Sequence, residues 1–228
     1  PVRIGFSDAR EFSYIFYNRT IEGGRNLHAV DRNMKIGRLL GLSSREVSFP
    51  LPHIKPSPIR KQYFVVVPGA RWPSKRWPAE YFARLLRYLE GLELTPVLLG
   101  GRDDMSISEE IIKGSRMNCI DLTGKTDLKT LCSIIKGAEF MITNDSGPMH
   151  IATAMDVKVF AIFGPTDERL TGPYGGKHVV IKAEGLQCRP CRRRTCPTMK
   201  CLEAVTPEEV YRVIAFDKTT QPRQFSGR

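Results

Sequence analysis

Two stretches of the chain carry residue types whose spacing suits phosphate chemistry. In Pro68-Gly69-Ala70-Arg71-Trp72-Pro73-Ser74-Lys75-Arg76-Trp77-Pro78, two adjacent cations stand between an apolar run and a helical pattern. That places them at the carboxyl end of a strand, where α/β folds bind ligands. In Thr143-Asn144-Asp145-Ser146-Gly147-Pro148-Met149-His150, a strand turns sharply into a helix. Backbone N–H groups from Ser146 onward, added to the helix dipole, make an anion site, and Gly147 lets a ligand approach the backbone. Read alone, Ser146 is an ordinary N-cap and His150 a half-buried imidazole. Together the loops describe a diphosphate held between cations and a helix N-terminus.

Other phosphate and hydrolase motifs fail at single positions. Gly124-Lys125-Thr126 lies between a strand and a helix, but a phosphate-cradling P-loop would need glycine where Cys119 stands. A nucleophile elbow around Ser146 would need glycines in place of Asn144 and Pro148. Asp145-Ser146-Gly147 occurs once, whereas aspartic-protease chemistry needs two carboxylates sharing a proton.

The elements that position these loops come from the hydrophobic pattern. The chain has 228 residues, 41% hydrophobic and 26% charged, which fits a globular fold of one large domain or one and a half. Pro50, Pro52, Pro56 and Pro58 mark residues 50–60 as an extended linker. Before it, residues 1–49 hold a strand-like Val2–Phe6, an apolar run Phe12–Tyr17 and a helical stretch Ala29–Leu40, too little to form a stable core alone. They read as the end of a domain whose beginning lies outside the chain. After the linker, strands at Tyr63–Val67, Thr95–Leu99, Cys119–Leu122, Phe140–Thr143, Val157–Phe163 and Val179–Ile181 alternate with helices. The helices are expected at Ala79–Leu89, at Ser106–Lys113, from Leu128 with Asp127 as cap, and from near Gly147. That alternation predicts an α/β fold with a parallel sheet and helices on both faces over residues 61–205. Thr206-Pro207-Glu208-Glu209 opens a last helix, 206–216, and residues 217–228 are expected to be a disordered tail.

Net charge is +11, a surplus that favours anionic partners: phosphorylated small molecules, nucleic acid or acidic lipid headgroups. No apolar run approaches the ~20 residues of a membrane span, and no leader opens the chain, so a cytoplasmic protein is expected.

The segments PGARWPSKRWP, LTGKTDLKTL, TNDSGPMHIATAM and FGPTDERLTGPYG, in that order, resemble the ADP-heptose:lipopolysaccharide heptosyltransferases of glycosyltransferase family nine, nearest the heptosyltransferase II type. The resemblance runs from about Arg3 to Ile214. It implies the GT-B fold: residues 61–205 as a Rossmann-like donor domain, residues 1–49 as the end of the acceptor-side domain, and a final helix crossing back to it. It also implies inverting displacement at the sugar's anomeric carbon, with no cofactor. By motif position, Lys75 would contact the donor phosphates with Arg76 in support, and Ser146 and Gly147 would supply hydrogen bonds. Asp145 and His150 would border the sugar and phosphates, Asp103 would meet the ribose, and Lys125 would line the adenine side. The implied partners are an ADP-sugar donor and a lipopolysaccharide core acceptor, with peripheral contact at the cytoplasmic face of the inner membrane. The family's general base lies in a glycine-rich loop upstream of the matched region. Asp8 and Asp31 fit no such motif, so the chain alone is expected to bind donor without turnover.

Cys188, Cys191, Cys196 and Cys201 cluster as C-x2-C-x4-C-x4-C among arginines. Four thiolates suit zinc or an iron–sulfur centre, yet the spacing is not that of a zinc ribbon, and metal binding stays open. Two other readings compete. A nucleotide-sugar epimerase would share the architecture. A basic nucleic-acid module would explain the charge, but no nucleic-acid-binding signature appears.

Overall fold

The computed structural model describes residues 1–43 and 46–220, with residues 218–220 described by their backbone alone. At the centre lies a six-stranded, wholly parallel sheet. The chain first forms β1 (Ile4–Phe6), β2 (Arg19–Ile21) and α1 (Ala29–Leu39), with β1 and β2 paired in parallel as a separate small sheet. The apolar run Phe12–Tyr17 makes a 3-10 turn at Ser13–Phe16 with no buried residue. Residues 50–60 hold no helix or strand. They are tied to the domain where the Tyr63 hydroxyl donates to Ser57 Oγ at 2.7 Å and Ser133 Oγ donates to the Lys55 carbonyl at 2.7 Å.

Then come β3 (Tyr63–Val67), α2 (Ala79–Leu89), β4 (Thr95–Leu98), α3 (Met105–Ser115), β5 (Ile120–Asp121), α4 (Leu128–Lys136), β6 (Met141–Asn144), α5 (Gly147–Ala154) and β7 (Val159–Phe163). The chain closes with α6 (Glu168–Thr171), β8 (Val179–Lys182), α7 (Lys200–Glu203) and α8 (Pro207–Thr220). The short α6 and α7 have no counterpart in the expected elements, because four residues are too few to show a period. The expected tail from 217 is corrected in part: α8 continues through Thr220, and residues 221–228 lie outside the described residues.

Strand order is β5-β4-β3-β6-β7-β8. The chain starts in the middle, winds out to β5, then returns to the other side of β3 and winds out to β8. The two halves part between β3 and β6, and the crevice beyond their carboxyl ends is where such sheets take ligands. β3 is a continuous Tyr-Phe-Val-Val-Val run because both its faces are covered. Phe64 and Val66 point into a core with Phe82, Leu85, Leu86 and Leu89 of α2. Tyr63, Val65 and Val67 point into the opposite core with Ile134 and Ile135 of α4 and Met149 of α5. Phe64 stacks on Phe140 with centroids 4.9 Å apart, and Phe160 meets Phe140 edge-on at 5.6 Å. α8 seals the first core: Val210 and Ile214 are fully buried, and Glu208 receives Arg84 and the Tyr88 hydroxyl from α2.

Candidate functional site

Asn144, the last residue of β6, joins the two loops singled out by sequence. Fully buried, it donates through Nδ2 to the Pro68 carbonyl at 2.6 Å and accepts the Trp77 N–H at 3.2 Å. It therefore holds both ends of the Pro68–Trp77 loop against the turn into α5. Trp77 is itself buried and donates from its indole to the Val205 carbonyl at 2.8 Å.

Within that frame the two adjacent cations part company. Lys75 Nζ lies 2.6 Å from Asp145 Oδ2, in a pair whose side chains are only 17% and 6% exposed. The same ammonium sits 4.6 Å from the Trp72 ring centroid, while the Arg194 guanidinium lies 5.6 Å from that ring. The Thr166 hydroxyl, three residues past the end of β7, donates to Asp145 Oδ2 at 2.6 Å. The lysine is thus an oriented cation with further N–H bonds to give. Arg76 turns back instead, donating to the Ala70 carbonyl at 2.8 Å and approaching Asp104 at 3.6 Å. Its geometry here is that of a brace for its own loop.

Asp145 leads into Ser146, which stands at the N-cap position of α5 without a side-chain cap bond. Its hydroxyl lies 3.1 Å from Thr143 Oγ1. The first turn of α5 leaves backbone N–H groups without intrahelical partners, and Pro148 contributes none. Gly147 is exposed, and a Cβ built on it meets nothing within 4 Å, so the backbone there opens onto free space. His150, one turn on, is exposed at its rim, yet desolvation by its surroundings presses its pKa below the ordinary histidine value. Asp145 pulls the other way, while His28 and Lys75 add to the lowering. The imidazole is therefore neutral at pH 7 and can both donate and accept a hydrogen bond.

The remaining two site residues lie farther along the sheet edge. Asp103 is exposed in the turn after β4. Its neighbour Asp104 is the structural one of the pair, accepting the Gly101 N–H at 2.9 Å and packing where a Cβ on Gly69 would intrude to 2.3 Å. Lys125 reaches back to Asp121, donating to its carbonyl at 3.0 Å and its carboxylate at 3.3 Å, beyond the end of β5. The structure thus gathers Lys75, Asp145, Ser146, Gly147 and His150 at the β3–β6 crevice and leaves Asp103 and Lys125 on the β4–β5 side.

Asn144, Thr166 and Trp72 were not singled out by sequence. A polar Asn ending an otherwise apolar strand was the available signal for the first.

The cysteine–arginine loop lies against this site. Ser74 donates to the Arg193 carbonyl at 2.6 Å, and its N–H reaches the Arg194 carbonyl at 3.3 Å. Arg189 reaches the Gly164 carbonyl at 2.5 Å and Glu168 at 3.3 Å. Cys188 and Cys191 are exposed, Cys196 is half-buried and Cys201 is buried. Among the described residues no group of three or more His, Cys, Asp or Glu is arranged to hold a metal.

A cavity of about 830 Å³ opens beside Lys75, Trp72 and Thr166, with Asp8, Arg25 and Arg32 of the N-terminal segment on its other wall. That segment is fastened by His28, whose Nε2 is 3.1 Å from the Gly172 carbonyl, and by the Tyr174 hydroxyl, which donates to Asp31 at 2.6 Å.

Residues 1–202 match the profile of glycosyltransferase family 9 (heptosyltransferase). A lipooligosaccharide heptosyltransferase 2 of Campylobacter jejuni is 38% identical over 150 residues, covering 63% of this chain and 47% of the relative. The Escherichia coli ADP-heptose lipopolysaccharide heptosyltransferase II structure superposes with a TM-score of 0.60 at 26% identity, covering 70% of this chain and 47% of that one. The Escherichia coli heptosyltransferase WaaC with ADP gives 0.74 at 23% identity, covering 95% and 66%. The chain spans about half the length of the curated relatives it matches.

Proposed function

Because the chain belongs to glycosyltransferase family 9, the heptosyltransferases, we propose that it serves transfer of a heptose from an ADP-linked donor to a lipopolysaccharide inner-core acceptor. The observation that carries this reading is the crevice between β3 and β6. There the Lys75 ammonium is held by Asp145, two residues before α5, and the backbone at Gly147, the first residue of that helix, has open space where a Cβ would stand. In an inverting displacement an acceptor hydroxyl attacks the anomeric carbon and the diphosphate leaves, so negative charge grows on the phosphate oxygens. Lys75 and the α5 N–H groups stand where that charge develops, and groups already oriented need no reorganisation as it forms. Asp145 and Trp72 keep the ammonium in place between turnovers, while neutral His150 offers a hydrogen bond to the sugar or phosphate. Asp103 would take the ribose, and Lys125 would border the base.

The proposal places the protein in the cytoplasm at the inner face of the membrane, where donor and acceptor meet. No described helix is long and apolar enough to cross a membrane. A thermal-shift series with ADP, UDP, GDP and ADP-heptose tests the donor assignment. Stabilisation by ADP and ADP-heptose beyond that by the other two supports it, and an equal response to all four removes it.

A further inference from the structure

The charged residues that line the sheet-side wall of the cavity are Lys75, Asp167, Arg169 and Arg192. Lys75 is matched by Asp145 at 2.6 Å, and Arg169 holds Asp167 through bonds of 3.0 and 2.8 Å. Arg192 makes no ion pair among the described residues. The Asp167 carboxyl is kept below its ordinary pKa chiefly by its bond to Arg169, and it feels Arg192 only from beyond ion-pair distance. Arg192 is therefore the uncompensated charge of this wall.

That surplus matters because of what the ligand brings. A nucleotide-sugar diphosphate carries a negative charge on each phosphate, and another develops on the oxygen that leaves. The Lys75–Asp145 pair offers N–H bonds, but its own charges cancel. The N-terminus of α5 adds only about half an elementary charge. Lys75 and α5 alone leave much of the diphosphate charge unmatched.

The fold fastens Arg192 to both loops that hold the Lys75–Asp145 pair. Its N–H donates to the Pro165 carbonyl at 2.8 Å, one residue before Thr166, whose hydroxyl donates to Asp145. The next two residues, Arg193 and Arg194, give their carbonyls to Ser74, one residue before Lys75. Arg189, only 9% exposed, ties the start of the same loop to the Gly164 and Thr166 carbonyls. Arg192 itself has a φ of 53°, in the left-handed region that a long side chain adopts only where its surroundings hold it. The backbone is thus set, while the side chain is exposed and free to meet a ligand.

We propose that Arg192 is a second phosphate-binding cation of the donor site, supplying the net charge that Lys75, paired with Asp145, does not. A guanidinium suits this task because it grips phosphate oxygens through paired N–H bonds and stays charged at any working pH. The inference deepens the donor reading and rests on it. Lys75 orients the diphosphate, and Arg192 neutralises it.

The test is calorimetric titration of the 228-residue chain and its variants with ADP and with adenosine. Arg192→Gln should weaken ADP about tenfold and move adenosine less than twofold. Arg192→Lys should recover part of the loss. Arg193→Gln is the control, because Arg193 follows in the same exposed loop but places its charge near Cys196 and does not line the cavity. It should leave both affinities within twofold. Unchanged ADP binding in Arg192→Gln would overturn the proposal, and a loss of ADP in Lys75→Ala alongside it would leave the donor reading standing. Equal losses for ADP and adenosine in Arg192→Gln would assign the residue to loop packing and also overturn it. So would an equal loss in Arg193→Gln, which would signal the general field of the loop. A parent chain that binds no ADP would remove the donor reading and this proposal together. ADP binding lost in Arg192→Gln but kept in Lys75→Ala would uphold Arg192 and remove Lys75 from the site.

Discussion

Every residue of β3, β6 and β7 is buried, whereas α1 and the turn at Ser13–Phe16 bury none. The two regions face each other across one cavity, but their geometry is set by different forces. The Lys75 and α5 side is fixed by two cores packed on either face of a six-stranded sheet, so the site there is preformed. The N-terminal segment on the other side is held by a few polar contacts, such as His28 to Gly172 and Tyr174 to Asp31, each worth about 0.5–1.5 kcal/mol. Residues 1–42 also carry much of the exposed apolar surface, including Phe12, Ile15, Phe16 and Leu40. One cleft thus has a rigidly packed wall and a loosely held one.

Core truncation should expose that contrast most strongly. Phe64→Ala removes a fully buried ring stacked on Phe140 and should cost ~3–5 kcal/mol in urea unfolding. Phe16→Ala, at a residue 65% exposed, should change stability by no more than ~0.5 kcal/mol. Comparable losses at the two positions would mean that the N-terminal region shares the core.

Gly147→Val sharpens the comparison within the site. Its Cβ meets no atom of the protein, so circular dichroism and melting should stay near those of the parent. The same side chain enters the space where a diphosphate would meet the α5 backbone, so ADP affinity should fall more than tenfold. Unchanged ADP binding would move the anion site elsewhere.

A smaller effect should appear on acid titration. Burial, with Lys177 and Lys158 nearby, lowers the His178 pKa from 6.5 to about 4, and its Nδ1 is buried without a partner. Between those values the unfolded chain binds a proton that the folded chain does not, so stability falls as pH drops from 6.5 towards about 4. His178→Gln should flatten that part of the urea midpoint against pH. An unchanged slope would assign the acid sensitivity to other groups.

Much of the sheet domain was legible because its signals are local and periodic. Tyr63–Val67 matches the expected strand at both ends, and the Asp127 cap of α4 is realised by its bond to the Thr130 N–H at 2.7 Å. The two strand-end loops were legible as well, since a Gly-containing turn into a helix and a pair of cations are sequence features. What each side chain does there was not. Lys75 and Arg76 are adjacent in sequence, yet one meets Asp145, 70 residues on, and the other the Ala70 carbonyl of its own loop, a choice that only the folded chain makes. The pairing on the far wall of the cavity was hidden for the same reason: Arg25 and Arg32 are ordinary surface charges in the sequence until the fold brings both to the Asp8 carboxylate.

The central claim is that the β3–β6 crevice holds the diphosphate of an ADP-linked ligand through Lys75. Calorimetric titration of the parent and of Lys75→Ala with ADP and with adenosine tests it most directly. A charge-assisted contact to phosphate is worth ~1.5–3 kcal/mol, so the variant should bind ADP at least tenfold more weakly while its adenosine affinity is unchanged. Equal losses for both ligands, or ADP binding untouched by the substitution, would contradict the account.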